Sequence, residues 1–299
     1  MPPLALRRRH PQEAAVTPRH ATFASLGALA LWAFLALLSR LTAPVPPLQV
    51  TAIGFAIGGA LGLAVVLARG QARALAQGPL AWAHGVGGLF GYHALYFTAL
   101  ALAPPVEANL LNYLWPLLIV LLSAPILGLR LGPRRLTGVA LGFAGCALLV
   151  GGGAGFLDPA ALPGFLAALG CALVWALYSV TARRLGRVPT DAVAGFCLAT
   201  AALASLAHLL FETWVAPGAQ QWLALGLLGA GPVGAAFFLW DLGMKRGDPR
   251  LLGTLAYAVP VTSTLLLVAA GEGALTWRIG AALALVAGGG WLAATARAS

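Results

Sequence analysis

Long apolar stretches separated by short polar loops fill this chain from about residue 22 to its C-terminal end. Within each stretch the apolar residues run on without the alternation of apolar and polar positions that marks a half-buried strand. A helix needs ~20 apolar residues to cross a hydrocarbon core of ~30 Å, and it satisfies its own backbone groups there. The pattern therefore predicts an all-α integral membrane protein with ten transmembrane helices. They are predicted at residues 22–39, 48–68, 80–102, 106–128, 135–152, 163–182, 191–212, 221–243, 250–270 and 277–296.

The amino-acid composition agrees with a membrane protein. Of the 299 residues, 60% are hydrophobic and only 9% are charged, and the mean hydropathy is +0.89. A soluble protein carries about 25% charged residues, so this chain has too little polar surface to be soluble. The predicted spans leave no stretch long enough for a separate soluble domain.

The basic residues are distributed unevenly between the loops. If the N-terminus is cytoplasmic, all of the 18 Lys and Arg residues except Arg40 and Arg278 fall on the cytoplasmic side. This positive-inside bias predicts a multi-pass protein of the bacterial inner membrane with both termini in the cytoplasm. The net charge of +10 is thereby explained by topology, and we predict no nucleic-acid partner.

Short sequence matches recur along the chain at offsets of 141 to 144 residues. A repeat of five helices enters the membrane from opposite sides in its two copies, because five is odd, and such inverted repeats are typical of secondary transporters. We predict a cytoplasmic tail at 1–21, a first five-helix repeat at 22–152 and a second at 153–299. The matching pairs are Gly27–Ala33 with Gly170–Ala176, Gly54-Phe55 with Gly195-Phe196, and Tyr113–Pro116 with Tyr257–Pro260.

Five plus five helices, cytoplasmic termini, and prolines 116 and 260 in the fourth and ninth helices resemble the drug/metabolite transporter superfamily, EamA type. Within it, the sequence Tyr92-His93-Ala94-Leu95-Tyr96 of the third helix, together with three mid-span tryptophans, is similar to YddG-type exporters of aromatic and other neutral amino acids. The resemblance implies alternating access around a central cavity and export from the cytoplasm.

Aromatic residues at one depth provide candidate cavity walls. Trp32, Trp115 and Trp175 lie mid-span, where an indole N–H needs a partner or a cavity. Tyr92 and Tyr96 share one helix face because they are four residues apart, as do Trp175 and Tyr178 at a spacing of three. Such rings can stack planar side chains or attract a cation. The alternative is ordinary aromatic packing between helices.

Uncharged polar groups share the same depth. Asn109 and Asn112 form a stripe with Trp115, and His93 and Ser179 are further candidates for substrate contact. Together they could bind a substrate carboxylate without a fixed positive charge. No basic residue lies near a span centre, which disfavours a strongly anionic substrate. His93 is also the one central group that titrates near physiological pH, either as a hydrogen-bonding group or as a proton carrier.

Pro116 and Pro260 are predicted hinges. Each removes the N–H that would bond to the carbonyl four residues earlier, at Asn112 and Ala256. A substrate ammonium could occupy the freed carbonyl, as in other transporters with broken helices. Alternatively, each proline produces only a kink that a neighbouring hydroxyl or a water satisfies.

Small residues are predicted to serve packing. Glycines recur every four residues on the second and fifth predicted helices, which allows close helix contact and possible dimerisation alike. They are Gly54, Gly58, Gly62, Gly138 and Gly142. The cysteines match no disulfide framework or metal-ligand spacing and are interpreted as small apolar residues. They are Cys146, Cys171 and Cys197.

These features predict a transporter rather than an enzyme or a channel. No nucleophile with a base, metal-ligand cluster, filter-like loop or charged ring is present, and no cofactor or metal is predicted. The preferred function is export of neutral, mainly aromatic or hydrophobic amino acids. The alternative is a broad-specificity exporter of drugs or lipophilic cations. The sequence fixes neither the coupling ion nor the oligomeric state.

Overall fold

The computed structural model describes residues 18–128, 131–150, 158–182, 185, 188–246, 256 and 258–295. All regular structure within these ranges is helical. The α-helices are α1 (Pro18–Ala33), α2 (Leu35–Leu41), α3 (Pro47–Ala68), α4 (Pro79–Leu102), α5 (Pro105–Asn112), α6 (Trp115–Leu127), α7 (Pro133–Val150), α8 (Leu162–Ala182), α9 (Val193–Phe211), α10 (Ala219–Ala230), α11 (Ala236–Arg246), α12 (Ala258–Ala269) and α13 (Trp277–Ala294).

The helical segments confirm an integral membrane fold. Seven segments of the described chain are long and apolar enough to cross a bilayer: Phe23–Leu41, Pro47–Ala68, Pro79–Leu102, Pro105–Ile126, Leu162–Thr181, Thr190–Phe211 and Ala219–Gly243. The apolar helices Ala258–Ala269 and Trp277–Ala293 are shorter. Helix α7 coincides with the predicted fifth span. The full count of ten spans stays a prediction.

Proline residues set where several helices begin. Helices α3, α4 and α5 each start on a proline, at positions 47, 79 and 105. The first helical position suits proline because its N–H would be unpaired there and its fixed φ matches the helix. At the other end of the fourth predicted span, Gly128 has a φ of 70°, and its N–H closes α6 on the Ala124 carbonyl. These residues explain why the predicted and observed boundaries lie close together.

Three of the predicted spans are interrupted rather than continuous. The first is divided at Phe34, between α1 and α2, and the fourth at Tyr113–Leu114, just before Pro116. The eighth contains a π-helical turn at Gly231–Ala235, which includes Pro232. Of these three interruptions, the sequence predicted only the one beside Pro116. Prolines remove a backbone donor and so account for the second and third interruptions.

Glycines bring α3 very close to the π-helical turn. A Cβ on Gly58 would lie 2.7 Å from the Gly229 carbonyl oxygen and 2.8 Å from the Gly234 Cα. Both neighbours are backbone atoms and cannot rotate away. On α7, a Cβ on Gly138 would meet the carbonyl of Gly289 on α13. The glycine stripes therefore serve packing within one chain.

The helices pack in pairs that place a common core at mid-depth. The closest pairs are α7 with α13, α3 with α9, α4 with α8 and α1 with α11, and α6 also packs on α8. The buried core includes large aromatic side chains from α3, α4, α8 and α11. Helices α4, α8 and α11 of this core line one narrow cavity.

Candidate functional site

A central cavity opens where the interrupted helices meet. It offers about 30 Å³, room for about two water molecules. Its wall is largely aromatic and uncharged, and its lining residues come from six of the predicted spans. The lining residues are Trp32, Leu35, Tyr92, His93, Tyr96, Asn112, Tyr113, Trp115, Trp175, Phe237 and Val259.

Trp175 lies at the centre of the aromatic wall. Its ring lies edge-on to Trp32 at 5.9 Å and to Trp115 at 6.5 Å between centroids. It also contacts Tyr92 at 5.1 Å and Phe237 at 5.9 Å. Offset and edge-to-face pairs of this kind each stabilise by about 0.5–1.5 kcal/mol beyond the area they bury. One side chain from α8 thus connects α1, α4, α6 and α11.

The indole of Trp32 is bonded to the π-helical turn. Its Nε1–H donates to the carbonyl of Pro232 over 3.1 Å, and its ring lies 5.1 Å from that of Trp240. The π-helical turn exposes a carbonyl that a regular helix would use internally, and such turns are frequent at functional sites. The bond links the break in the first predicted span to the break in the eighth.

Tyr96 belongs to a polar network beside the cavity. The Tyr92 and Tyr96 rings stack at 5.6 Å with an angle of 8°. The Tyr96 hydroxyl donates to Asn109 Oδ1 over 2.8 Å, and Asn109 Nδ2 donates to the Ser263 hydroxyl over 3.1 Å. The amide of Asn109 is therefore engaged on both ends and connects α4, α5 and α12.

Asn112 makes a second such connection. Its Nδ2 donates to the Tyr92 hydroxyl oxygen over 3.0 Å. Its Oδ1 accepts from the thiol of Cys171, with 3.0 Å between sulfur and oxygen. Because Tyr92 accepts in its bond with Asn112, that bond does not use the hydroxyl proton of Tyr92. This proton is a donor at the edge of the cavity.

His93 provides a hydrogen-bond acceptor, where Tyr92 provides a donor. Its Nδ1 lies 2.9 Å from the Leu89 carbonyl, and since a carbonyl can only accept, Nδ1 carries the proton. The neutral ring then presents Nε2 as an acceptor, and this fully buried atom has no partner among the described residues. Aromatic rings surround the imidazole. The distance between ring centroids is 4.8 Å to Phe55 and 5.5 Å to Phe237.

The structure brings seven of the ten predicted binding residues to the cavity. They are Trp32, Tyr92, His93, Tyr96, Asn112, Trp115 and Trp175. Asn109 lies behind the wall in the Tyr96 network. Tyr178 does not line the cavity. Its ring stacks between those of Trp175 and His84, at centroid distances of 5.1 Å and 4.5 Å. Ser179 is half-buried on α8 and is not part of the lining.

Four lining residues were not predicted. Leu35, Phe237 and Val259 are apolar residues in apolar stretches, so nothing in the sequence distinguishes them from lipid-facing neighbours. Tyr113 carried a usable signal, because it opens the repeated Tyr-Leu-Trp-Pro match and lies at the break between α5 and α6. The predicted hinge residues Pro116 and Pro260 are both buried, each next to a lining residue.

An ion pair lies at the end of the protein where α2 and α4 end. Arg40 Nε donates to Glu272 Oε2 over 2.9 Å, and its Nη1 donates to the Leu100 carbonyl over 3.0 Å. The two charged side chains are 26% and 27% exposed. A larger cavity of about 270 Å³ lies beside Arg40, lined mainly by the segment from Leu100 to Pro105. It shares no residue with the central cavity.

The described part of the chain gives little support for a metal site. Among the residues in the described ranges, no group of three or more His, Cys, Asp or Glu side chains could hold a metal ion. The central cavity instead offers a donor from Tyr92, an acceptor from His93 and ring faces. We take it as the candidate site because these groups converge there, whereas the larger cavity is lined mostly by Ala, Leu and Pro residues and by no aromatic side chain.

Comparison with known proteins adds independent information. The profile of the EamA-like transporter family matches residues 20–151 and again residues 162–295. An aromatic amino acid exporter YddG of Ancylobacter novellus is 55% identical over 273 residues, which cover 90% of this chain and 95% of that protein. The aromatic amino acid exporter YddG of Escherichia coli is 25% identical over 222 residues, covering 68% of this chain and 70% of that one. A crystal structure of a protein with 54% identity matches with a TM-score of 0.75 and covers 93% of this chain and 97% of its own.

Proposed function

Because the chain belongs to the EamA-like transporter family, we propose that it exports neutral, mainly aromatic and hydrophobic amino acids from the cytoplasm by alternating access. The family membership confirms the prediction of a transporter rather than an enzyme. The relative of 55% identity, named as an aromatic amino acid exporter, matches along nearly its whole length. The observation that carries the substrate proposal is an uncharged, ring-lined cavity with one donor and one acceptor.

The polar groups suit a zwitterion. An amino acid carries an ammonium donor and a carboxylate acceptor on one carbon atom. His93 Nε2, a buried acceptor without a described partner, would receive the ammonium. The proton of the Tyr92 hydroxyl, which its bond with Asn112 leaves unused, would bind the carboxylate. The side chain would then lie among Trp32, Trp115 and Trp175, whose ring faces accept planar apolar groups.

The small volume of the central cavity corresponds to a closed state of the transport cycle. About 30 Å³ is far less than an amino acid needs, so the rings must separate before substrate enters. The break between α5 and α6 beside Pro116 and the π-helical turn at Gly231–Ala235 interrupt helical bonding near the cavity, and Pro260, early in α12, lacks a backbone donor. We propose these three positions as the hinges, because a few element-terminal residues commonly absorb such motion.

We further propose ten spans in two inverted five-helix repeats, at 22–152 and 153–299. The helix pairing supports this arrangement. Exchanging the first five spans with the last five maps the α3–α9 and α7–α13 contacts onto themselves and the α4–α8 contact onto the α1–α11 contact. The same exchange maps α6–α8 onto α12–α1. The twofold match of the family profile, with limits at 151 and 162, also supports a duplication.

We propose that both termini lie in the cytoplasm, on the basis of the positive-inside bias. Arg40 and Arg278 are the exceptions to that bias, and each has a local contact. Arg40 pairs with Glu272, and the Arg278 guanidinium lies 5.6 Å from the centre of the Trp277 ring. In this orientation the Arg40–Glu272 pair lies at the outer, periplasmic end.

Counterflow in proteoliposomes tests the proposed function. Vesicles are preloaded with unlabelled phenylalanine, and uptake of radiolabelled phenylalanine is compared with uptake of a fluorescent quaternary-ammonium dye. We expect phenylalanine uptake well above that of empty vesicles and no dye uptake, because the dye lacks a carboxylate for Tyr92. Dye uptake without phenylalanine uptake would instead support the broad-specificity exporter of lipophilic cations.

The Arg40–Glu272 pair provides a prediction about outer opening. It ties α2, in the first proposed repeat, to the segment before α13, in the second. Arg40→Gln removes this tie, so the outward-open population should rise. A partly exposed pair contributes about 0.2–1 kcal/mol, which corresponds to roughly a 1.4-fold to fivefold increase. The measurement is labelling of a Val259→Cys reporter by an impermeant maleimide added to spheroplasts.

Two further variants control that experiment. Glu272→Gln removes the same pair from its other side and should raise labelling by a similar factor. Asp158→Asn removes a charge near the same end that is not part of the pair, and it should leave labelling unchanged. Equal labelling in the parent protein and in both pair variants would show that the ion pair does not hold the outer end closed.

A further inference from the structure

Cys171 lies directly behind the cavity wall. It is on α8, four residues before Trp175, and its side chain is 0% exposed. Its sulfur lies 3.0 Å from Asn112 Oδ1 and 3.1 Å from the Ala168 carbonyl. The residue does not line the cavity, yet it contacts Asn112, the side chain that donates to the Tyr92 hydroxyl oxygen.

The amide of Asn112 has two possible orientations with different consequences. An amide has an acceptor end and a donor end, and rotation by 180° exchanges them. In the observed orientation Nδ2 donates to Tyr92, so the Tyr92 proton is available to the cavity. In the reversed orientation Oδ1 would accept from Tyr92, and the Tyr92 proton would be consumed within the protein.

The thiol distinguishes between these orientations. A thiol is a weak donor and a weak acceptor, but beside it the carbonyl of Ala168 offers a second acceptor and no donor. With Oδ1 toward Cys171, the S–H can donate to it. With the orientation reversed, the amide N–H groups would face a sulfur that accepts poorly. Cys171 therefore favours the orientation that leaves the Tyr92 proton free.

We propose that Cys171 is a positioning residue that, through Asn112, directs the Tyr92 hydroxyl proton toward the substrate carboxylate. The inference rests on the proposed function, because it assigns a carboxylate to Tyr92. It gives a thiol inside an apolar helix a role in selecting amino acids over amines of the same shape. It also accounts for the amide at residue 112, which transmits the preference from α8 to α4.

The test compares two competitors of phenylalanine counterflow. Phenylalanine has an ammonium and a carboxylate, whereas phenylalaninamide keeps the ammonium and lacks the carboxylate. The readout is the ratio of the concentrations of amide and acid that halve uptake. Cys171→Ala should lower this ratio about threefold, the size expected for one interhelical hydrogen bond in a membrane protein. The apparent KM for phenylalanine should rise by a similar factor while the maximal rate is retained.

Three variants separate positioning from packing. Cys171→Ser keeps a donor at this position but, unlike the thiol, also accepts well, so it should lower the ratio less than alanine does. Cys171→Val, of similar volume and without a donor, should lower the ratio as alanine does and covers the case in which alanine does not fold. Cys197→Ala removes a thiol from another fully buried cysteine, on α9 and outside the cavity lining, and should leave the ratio unchanged.

Tyr92→Phe distinguishes failure of the inference from failure of the proposed function. It should remove the preference for the acid, and Cys171→Val should then have no further effect in the Tyr92→Phe background. If Tyr92→Phe lowers the ratio and neither Cys171→Ala nor Cys171→Val does, the positioning role is overturned and the proposed substrate stands. If the parent protein shows no preference for the acid, both are overturned.

Discussion

Trp175→Ala is expected to lower phenylalanine counterflow by about tenfold or more. The indole is 4% exposed and contacts rings from four other helices. Its removal deletes several aromatic pairs at once and leaves the proposed substrate side chain without its central stacking surface. The measurement is the initial counterflow rate at equal amounts of reconstituted protein. Trp175→Phe, which keeps a ring, should retain part of the activity.

An exposed tryptophan controls for the general effect of removing an indole. Trp291 lies on α13 and is 53% exposed, so it faces lipid in the proposed arrangement. Trp291→Ala should leave counterflow within about twofold of the parent, as expected for a surface substitution. If Trp175→Ala and Trp291→Ala lowered transport equally while both proteins remained folded, the aromatic cavity would have no special role.

Gly58→Ala is expected to destabilise the protein strongly. The new methyl group would lie 2.7 Å from the Gly229 carbonyl oxygen and 2.8 Å from the Gly234 Cα. These backbone atoms, at the end of α10 and in the π-helical turn, cannot move aside without separating α3 from its neighbours. Overpacking of this kind costs about 1–3 kcal/mol or more. The apparent melting temperature of the detergent-purified protein should fall by roughly 5–10 °C.

Gly226→Ala is the matched control for that experiment. Gly226 lies on α10, a few residues before the same contact, and no heavy atom lies within 4 Å of a Cβ built there. Alanine also favours a helix over glycine by ~1 kcal/mol, so the melting temperature should stay equal or rise. A melting temperature of Gly58→Ala equal to that of the parent would show that α3 does not pack on the π-helical turn as closely as described.

The positions of the spans could be predicted because lipid imposes one simple requirement. A segment such as Pro47–Ala68 must be apolar along its length and satisfy its own backbone groups, and both properties are visible in the sequence. The interruptions were harder to predict. The π-helical turn at Gly231–Ala235 accepts a hydrogen bond from Trp32, some 200 residues away in the chain. No local sequence pattern indicates such a contact.

The aromatic part of the site could be predicted from depth and helical spacing. Trp32, Trp115 and Trp175 share a depth, and that coincidence indicated a common cavity. Phe237 and Val259 were missed because an apolar residue facing a cavity looks like one facing lipid. The prediction that Asn109 contacts substrate directly stays a prediction, and the described amide is already bonded at both ends to protein groups.

The cysteines show the limit of reading residues by type. Cys171 was interpreted as a small packing residue, and burial agrees with that. Its contact with Asn112 joins residues 59 positions apart, so the sequence around Cys171 carries no sign of it. The glycine stripes show the reverse case, because the alternatives of packing and dimerisation were open until the contacts of Gly58 and Gly138 were seen within one chain.

The most direct test of the proposed binding site is an experimental structure of the protein determined with phenylalanine present. We expect ligand density inside the central cavity. The ring should lie among Trp32, Trp115 and Trp175, with the ammonium near His93 Nε2 and the carboxylate near the Tyr92 hydroxyl. Ordered phenylalanine only in the separate cavity beside Arg40, with the central rings still packed against one another, would show that the central cavity is not the substrate site.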